Sequence, residues 1–115
     1  MKKEELIQYQ TPFYLYDLDL LSQTLDQAQE HAKKHRYHIH YAMKANTNDR
    51  ILDLIHSKGF GADCVSGNEV KKALETGFKP NQIAFAGVGK SDEEIEIGLE
   101  NDIFTFNCES VQEIE

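Results

Sequence analysis

The sequence predicts an α/β fold: the N-terminal part of a (β/α)8 TIM-like barrel, with about four strand–helix units preceded by one strand and one helix. Three observations predict it. Short β-prone runs alternate with stretches of helical apolar period along the chain. Three of the helical stretches open on one signature, Ser66…Glu69, Ser91…Glu94 and Ser110…Glu113. This is a capping box, in which side chains satisfy free N–H groups at a helix start. Finally, the 115 residues fall short of the roughly 250 that a closed barrel needs. Strand–helix alternation implies a parallel sheet with right-handed crossovers, and a doubly wound open sheet takes the same repeats. The last helical stretch stops with no closing Gly or Pro, so the chain is expected to be the first part of a longer protein, cut inside a barrel. Residues 1–17 are assigned to an N-terminal strand segment and 18–115 to the partial barrel.

The elements follow in order. "PFYLYD" (12–17) is aromatic and extended, and predicts a strand headed by Pro12. "LDLLSQTLDQAQEHAKKH" places Leu18, Leu21, Leu25, Ala28 and Ala32 on one helical stripe. Its start is acidic (Asp17, Asp19) and its end basic (Lys33, Lys34, His35), as the helix dipole favours. "HIHYAM" predicts the first repeat strand, and Ile51, Leu52 and Ile55 the helix after it, ending at Gly59. "GADCVS" is the second strand, followed by a helix that Gly77 stops. "IAFAG" and "IFTFN" are the third and fourth, each followed by a helical stretch, "SDEEIEIGLEN" and "SVQEIE".

Composition narrows the function. A formal charge of −8 argues against nucleic acid or an anionic membrane as partner. No apolar run is long enough to span a bilayer, and the start "MKKEELIQYQ" has no apolar signal region. Cys64 and Cys108 are too few for a disulfide framework and lack metal-site spacing. A reducing cytoplasm is expected.

One residue stands out. In "HYAMKAN" (40–46), Lys44 ends a strand that heads into the core, where an ammonium loses hydration. Reacting groups of β/α folds sit at that end of the sheet, on the strand-to-helix loops. An amine in a partly apolar site has a lowered pKa, and the neutral form is a nucleophile toward carbonyls. The alternative is a lysine whose stem packs while its head reaches water.

The residues around it decide the weighting. "YAMKANTNDRILDLIHSKG" (41–59) resembles the cofactor-lysine signature of the fold-type III pyridoxal-phosphate decarboxylases, which act on ornithine, arginine and diaminopimelate. The match runs through Tyr41, Ala42, Lys44, Ala45 and Asn46, then Ile51, Leu52, Ile55 and Gly59. "TPFYLYD" (11–17) is similar to the family's opening strand. "GADCVSGNEV" (61–70), with Cys64 and Asn68 as mild departures, "FAGVGKSDEEI" (85–95) and "FNCESVQEIE" (106–115) resemble the diaminopimelate subfamily. Alanine racemases share the fold, but "NTNDR" after the lysine disfavours them. The resemblance implies an alanine racemase-like barrel of fold type III, pyridoxal 5′-phosphate as cofactor, and Lys44 as the residue that binds it covalently. It also places Asp63, at the end of the second strand, beside that lysine, where a carboxylate would stabilise positive charge on the lysine nitrogen. The bland reading of Asp63 is a turn residue.

Other candidates have structural readings. Glu69 matches a glutamate of the family motif, but it is also the third residue of a capping box, and Ser66 is its cap. Asn46 is expected either to hold the loop behind the lysine or to make a turn. "GVGKS" (87–91) is not a phosphate loop, because position 84 is Ala84 rather than glycine. Gly87 and Gly89 are expected to give a tight turn on the cofactor's side. His31, His35, His38 and His40 lack an acidic or Cys partner at ligand spacing, so no metal is expected.

The reaction the resemblance implies is decarboxylation of meso-diaminopimelate to L-lysine by the full-length enzyme, a homodimer acting on a small amino-acid substrate. The isolated 115 residues are expected to bind cofactor weakly and to turn nothing over, because the family's remaining cofactor and substrate groups come from later sequence. The alternatives are an ornithine, lysine or arginine decarboxylase of the same fold, a cofactor carrier without turnover, and a non-catalytic α/β domain.

Overall fold

The computed structural model describes residues 3–115. A short helix α1 (Lys3–Leu6) and an irregular segment lead to helix α2 (Leu18–His35). Three strand–helix steps and a fourth strand follow: β1 (His40–Ala42), α3 (Asp49–Ser57), β2 (Gly61–Cys64), α4 (Gly67–Thr76), β3 (Ile83–Phe85), α5 (Asp92–Glu100) and β4 (Thr105–Phe106). Single 3-10 turns at Met43–Ala45 and Pro80–Gln82 flank β1 and β3.

The strands form one parallel sheet in the order β1-β2-β3-β4. Sequential order with no reversal means that the chain winds in one direction only. A doubly wound sheet reverses its order at a switch point, so this is an arc of the barrel type.

All five residues of the predicted α2 stripe meet the core: Leu25 and Ala32 are buried, and Leu18, Leu21 and Ala28 are partly buried. Asp17 caps the helix by accepting the Leu20 N–H at 2.9 Å. Ile51, Leu52 and Ile55 of α3 and Val70 and Ala73 of α4 pack on Ala62, Cys64, Ile83 and Phe85 of the sheet. Burying each large aliphatic side chain stabilises the fold by about 1.5–3 kcal/mol.

The register shows why only one face is covered. Ala62, Ile83, Cys64 and Phe85 alternate with Gly61, Asp63 and Ala84, and a strand sends successive side chains to opposite faces. The second set, with His40, Ala42 and Thr105 as their cross-strand partners, stands outside the helix-packed core among the described residues. The radius of gyration, 16.9 Å, exceeds the roughly 13 Å of a compact chain this long, as an open arc with a projecting N-terminal segment requires.

Two expectations are corrected. Residues 12–17 do not form a strand. Phe13, Tyr14, Leu15 and Tyr16 are exposed, and no described strand pairs with them. An extended run without a ladder partner is not a sheet element. Residues 1 and 2 of the 1–17 segment lie outside the described residues. Residues 110–115 form turns rather than a helix, because the Glu113 carboxylate is taken by Lys90 and by the Glu109 N–H instead of capping Ser110.

The other two boxes differ in detail. Ser91 and Glu94 exchange both bonds. Ser66 accepts the Glu69 N–H at 3.2 Å, but the Glu69 carboxylate reaches one residue further back, to the Val65 N–H at 2.8 Å. Gly77 ends α4 in the left-handed region (φ 103°), as expected.

Candidate active site

The C-terminal ends of the four strands carry the candidate site. β1 runs straight into the Met43–Ala45 turn, with Met43 fully buried in the core and Lys44 exposed beside it. That turn is held on both sides. Before it, Ala42 pairs with Asp63 in the ladder. After it, Asn46 makes three contacts: its carbonyl accepts the Tyr41 hydroxyl at 3.1 Å, its Oδ1 accepts the Asn48 N–H at 2.9 Å, and its Nδ2 donates to the Tyr16 hydroxyl at 2.9 Å. Both readings of Asn46 are thus met, because one side chain makes the turn and the loop contact. Burial raises the Tyr41 phenol above its usual value, offset in part by its bond to Asn46, so it remains a protonated donor.

The Lys44 side chain makes no hydrogen bond or ion pair with any described residue, and neither does the Asp63 side chain. Asp63 is half-buried on the uncovered face, between Ala42 and Ala84 on the adjoining strands. The structure therefore puts Lys44, in the turn just after β1, and Asp63, on β2, at one end of the sheet without pairing them.

The rim beyond β3 holds a feature the sequence did not reveal. Lys90, the lysine of "GVGKS", is folded inward and only 2% exposed at its side chain. Its ammonium donates to Gly87 O at 2.7 Å, Asn107 O at 2.8 Å and Glu113 Oε1 at 2.5 Å, and lies 5.5 Å from the Phe85 ring centre. All three donors are satisfied, as a buried ammonium requires. Lys90 thereby ties the β3–α5 loop to the exit of β4. Gly87 itself stands at φ 107°, and a Cβ there would approach Val65 O to 3.3 Å. The only advance signal was the glycine-flanked lysine, and its partner lies 23 residues away.

Cys64 faces the core, and burial with the nearby Glu69 and Asp63 carboxylates pushes its thiol up to about 12. The histidines gather no ligand set: among the described residues no cluster of His, Cys, Asp and Glu could hold a metal. His40 stacks on Phe104, and its Nε2 is buried with no partner.

A sequence profile of the pyridoxal-dependent decarboxylases, for their pyridoxal-binding domain, matches residues 18–115. The chain belongs to this family. Among curated relatives it is similar to the diaminopimelate decarboxylase of Bacteroides thetaiotaomicron, at 54% identity over 107 residues, covering 92% of this chain and 28% of that protein. The Helicobacter pylori J99 enzyme of the same name is 49% identical, over 96% of this chain and 28% of that protein. The chain thus spans 28% of the length of these relatives. Among solved structures, a point mutant of Helicobacter pylori diaminopimelate decarboxylase complexed with L-lysine superposes with a TM-score of 0.88 at 44% identity, over 98% of this chain and 29% of that one. The ornithine decarboxylase of Entamoeba histolytica gives 0.70 at 26% identity, over 81% and 29%. The four-stranded arc is accordingly part of a fold-type III barrel, and pyridoxal phosphate is the cofactor of the family.

The site residues fit that cofactor. A cofactor-binding lysine must offer an uncommitted amine, and the Lys44 amine has no hydrogen-bond or ion-pair partner among the described residues. Ala42 and Ala84, the register partners of Asp63 on the adjoining strands, carry only methyl side chains, too small to cover it.

No described helix is long and apolar enough to cross a membrane.

Proposed function

We propose that this chain supplies the cofactor lysine of a diaminopimelate decarboxylase, which removes CO2 from meso-diaminopimelate to give L-lysine. The observation that carries the reading is Lys44, an unpartnered amine at the C-terminal end of β1, in a chain 54% identical to an enzyme of that name. Residues 18–115 serve as the first strand–helix units of its barrel, and residues 1–17 as a separate leading segment. The whole enzyme acts as a homodimer in the cytoplasm on a small amino acid.

Lys44 would hold pyridoxal phosphate through Nζ, the nucleophilic amine that the cofactor's carbonyl chemistry requires. Asp63, at the end of the neighbouring strand, would stabilise positive charge on the lysine nitrogen. Ala42 and Ala84 keep the sheet face beside Asp63 open, and Met43 anchors the turn in the core. When bound, pyridoxal phosphate supplies the electron sink for the pair left by the departing carboxylate.

Trapping tests the reading. The natural full-length protein is incubated with pyridoxal phosphate, reduced with borohydride and peptide-mapped by mass. An adduct on Lys44, with release of CO2 from meso-diaminopimelate in preference to ornithine, arginine or lysine, is expected. A folded protein with no adduct on Lys44 would refute the assignment, and an adduct without CO2 release would make it a carrier.

A further inference from the structure

Lys44 has a long, flexible side chain whose ammonium makes no hydrogen bond or ion pair among the described residues. Only the backbone that carries it can set where the amine points. That backbone is fixed from one side by the ladder and the buried Met43. From the other side it is fixed by hydrogen bonds that converge on Asn46. Tyr41 and Asn46 bracket the lysine and are joined to each other across it, hydroxyl to carbonyl. Tyr16 arrives from a segment outside the sheet. The residue is 51% exposed, and its hydroxyl accepts from the Asn46 side chain. Among the described residues its ring stacks on the exposed Tyr14, 6.4 Å between ring centres, and not on the core, so core burial does not hold it there. The hydrogen bond does explain it, because it fixes the Asn46 side chain, whose Oδ1 already closes the turn onto Asn48.

We infer that Tyr16, Asn46 and Tyr41 form a clamp that positions Lys44 for capture of the cofactor aldehyde, with Tyr16 as a positioning residue supplied by the N-terminal segment. The inference rests on the proposed reading of Lys44. It makes Tyr16 part of the site although the segment that carries it belongs to no strand of the sheet.

The test is a titration of the full-length apoprotein with pyridoxal phosphate, quenched by borohydride, with the Lys44 peptide quantified. The variants are Tyr16→Phe, Tyr41→Phe and Asn46→Ala. Ser91→Ala, which removes a distant helix cap, is the stability control. Each Phe variant keeps its ring and loses one hydrogen bond, so the half-saturating concentration should rise about fivefold, and further in Asn46→Ala. The double variant Tyr16→Phe/Asn46→Ala should be no worse than Asn46→Ala alone, because both changes break one linkage. Ser91→Ala should trap as the parent does. Parent-like trapping in all three variants, or a loss matched by Ser91→Ala at equal fall in melting temperature, would overturn the clamp while leaving Lys44 as the cofactor lysine. Absence of trapping in the parent protein would overturn both.

Discussion

The Glu94 carboxylate accepts the Gly67 N–H at 2.8 Å, across 27 residues of sequence, while also capping its own helix at Ser91. One side chain therefore closes the starts of α4 and α5. A Cβ at Gly67 would stand 3.0 Å from Glu94 Cγ, so the two helix starts meet closely here.

Glu94→Ala should cost about 1–2 kcal/mol, more than an ordinary exposed cap, because two helix starts lose an acceptor. Chemical denaturation reads this. The same contact sets a pH dependence. Bonds from the Gly67 N–H and then from Ser91 hold Glu94 below the usual 4.5, and the Lys90 ammonium does the same for Glu113. The unfolded chain binds these protons first. The stabilisation is thus complete above about pH 5 and is lost as pH falls below the ordinary carboxylate value through the depressed ones. A Glu94→Gln variant should show a shallower acid loss, and an unchanged slope would reject the linkage.

Lys90→Met should destabilise the fold by about 2–4 kcal/mol, because the Gly87 and Asn107 carbonyls and the Glu113 carboxylate lose their donor together. Lys72→Met provides the contrast. Its ion pair with Asp49 lies on the surface, where such pairs contribute little, so its melting temperature should match the parent's. Equal losses in the two variants would show that the Lys90 contacts carry no special weight.

Native alkylation should label Cys108 and spare Cys64. Cys108 is exposed, whereas Cys64 is fully buried with a thiol raised to about 12, and the thiolate is the reacting form. Mass mapping after iodoacetamide would show one modified cysteine, and a second only in denaturant.

Gly98→Val should lose about 1–3 kcal/mol. A Cβ at this helical position would run into the Phe106 ring and come within 3.0 Å of Ile103 Cδ1, so α5 lies directly on β4. A melting temperature equal to the parent's would show that the ring yields freely.

The sequence by itself determined the strand–helix alternation, the α2 stripe, the Gly77 stop, the caps at Ser66 and Ser91, and the position of Lys44 at a strand's end. These are encoded in windows of a few residues, through period, capping and backbone preference, so they can be read without knowing what packs on what. It did not determine that residues 12–17 lack a ladder partner, that Glu113 serves Lys90 rather than Ser110, or that Glu69 reaches Val65. The order β1-β2-β3-β4, which separates a barrel arc from a doubly wound sheet, was likewise decided only in three dimensions. So was the convergence of Tyr16 and Asn46, 30 residues apart, behind Lys44. The physical reason is common to all of them. A hydrogen-bonding group is claimed by whichever partner the register and the packed helices bring within about 3 Å, and neither register nor packing is written in any one short stretch of chain.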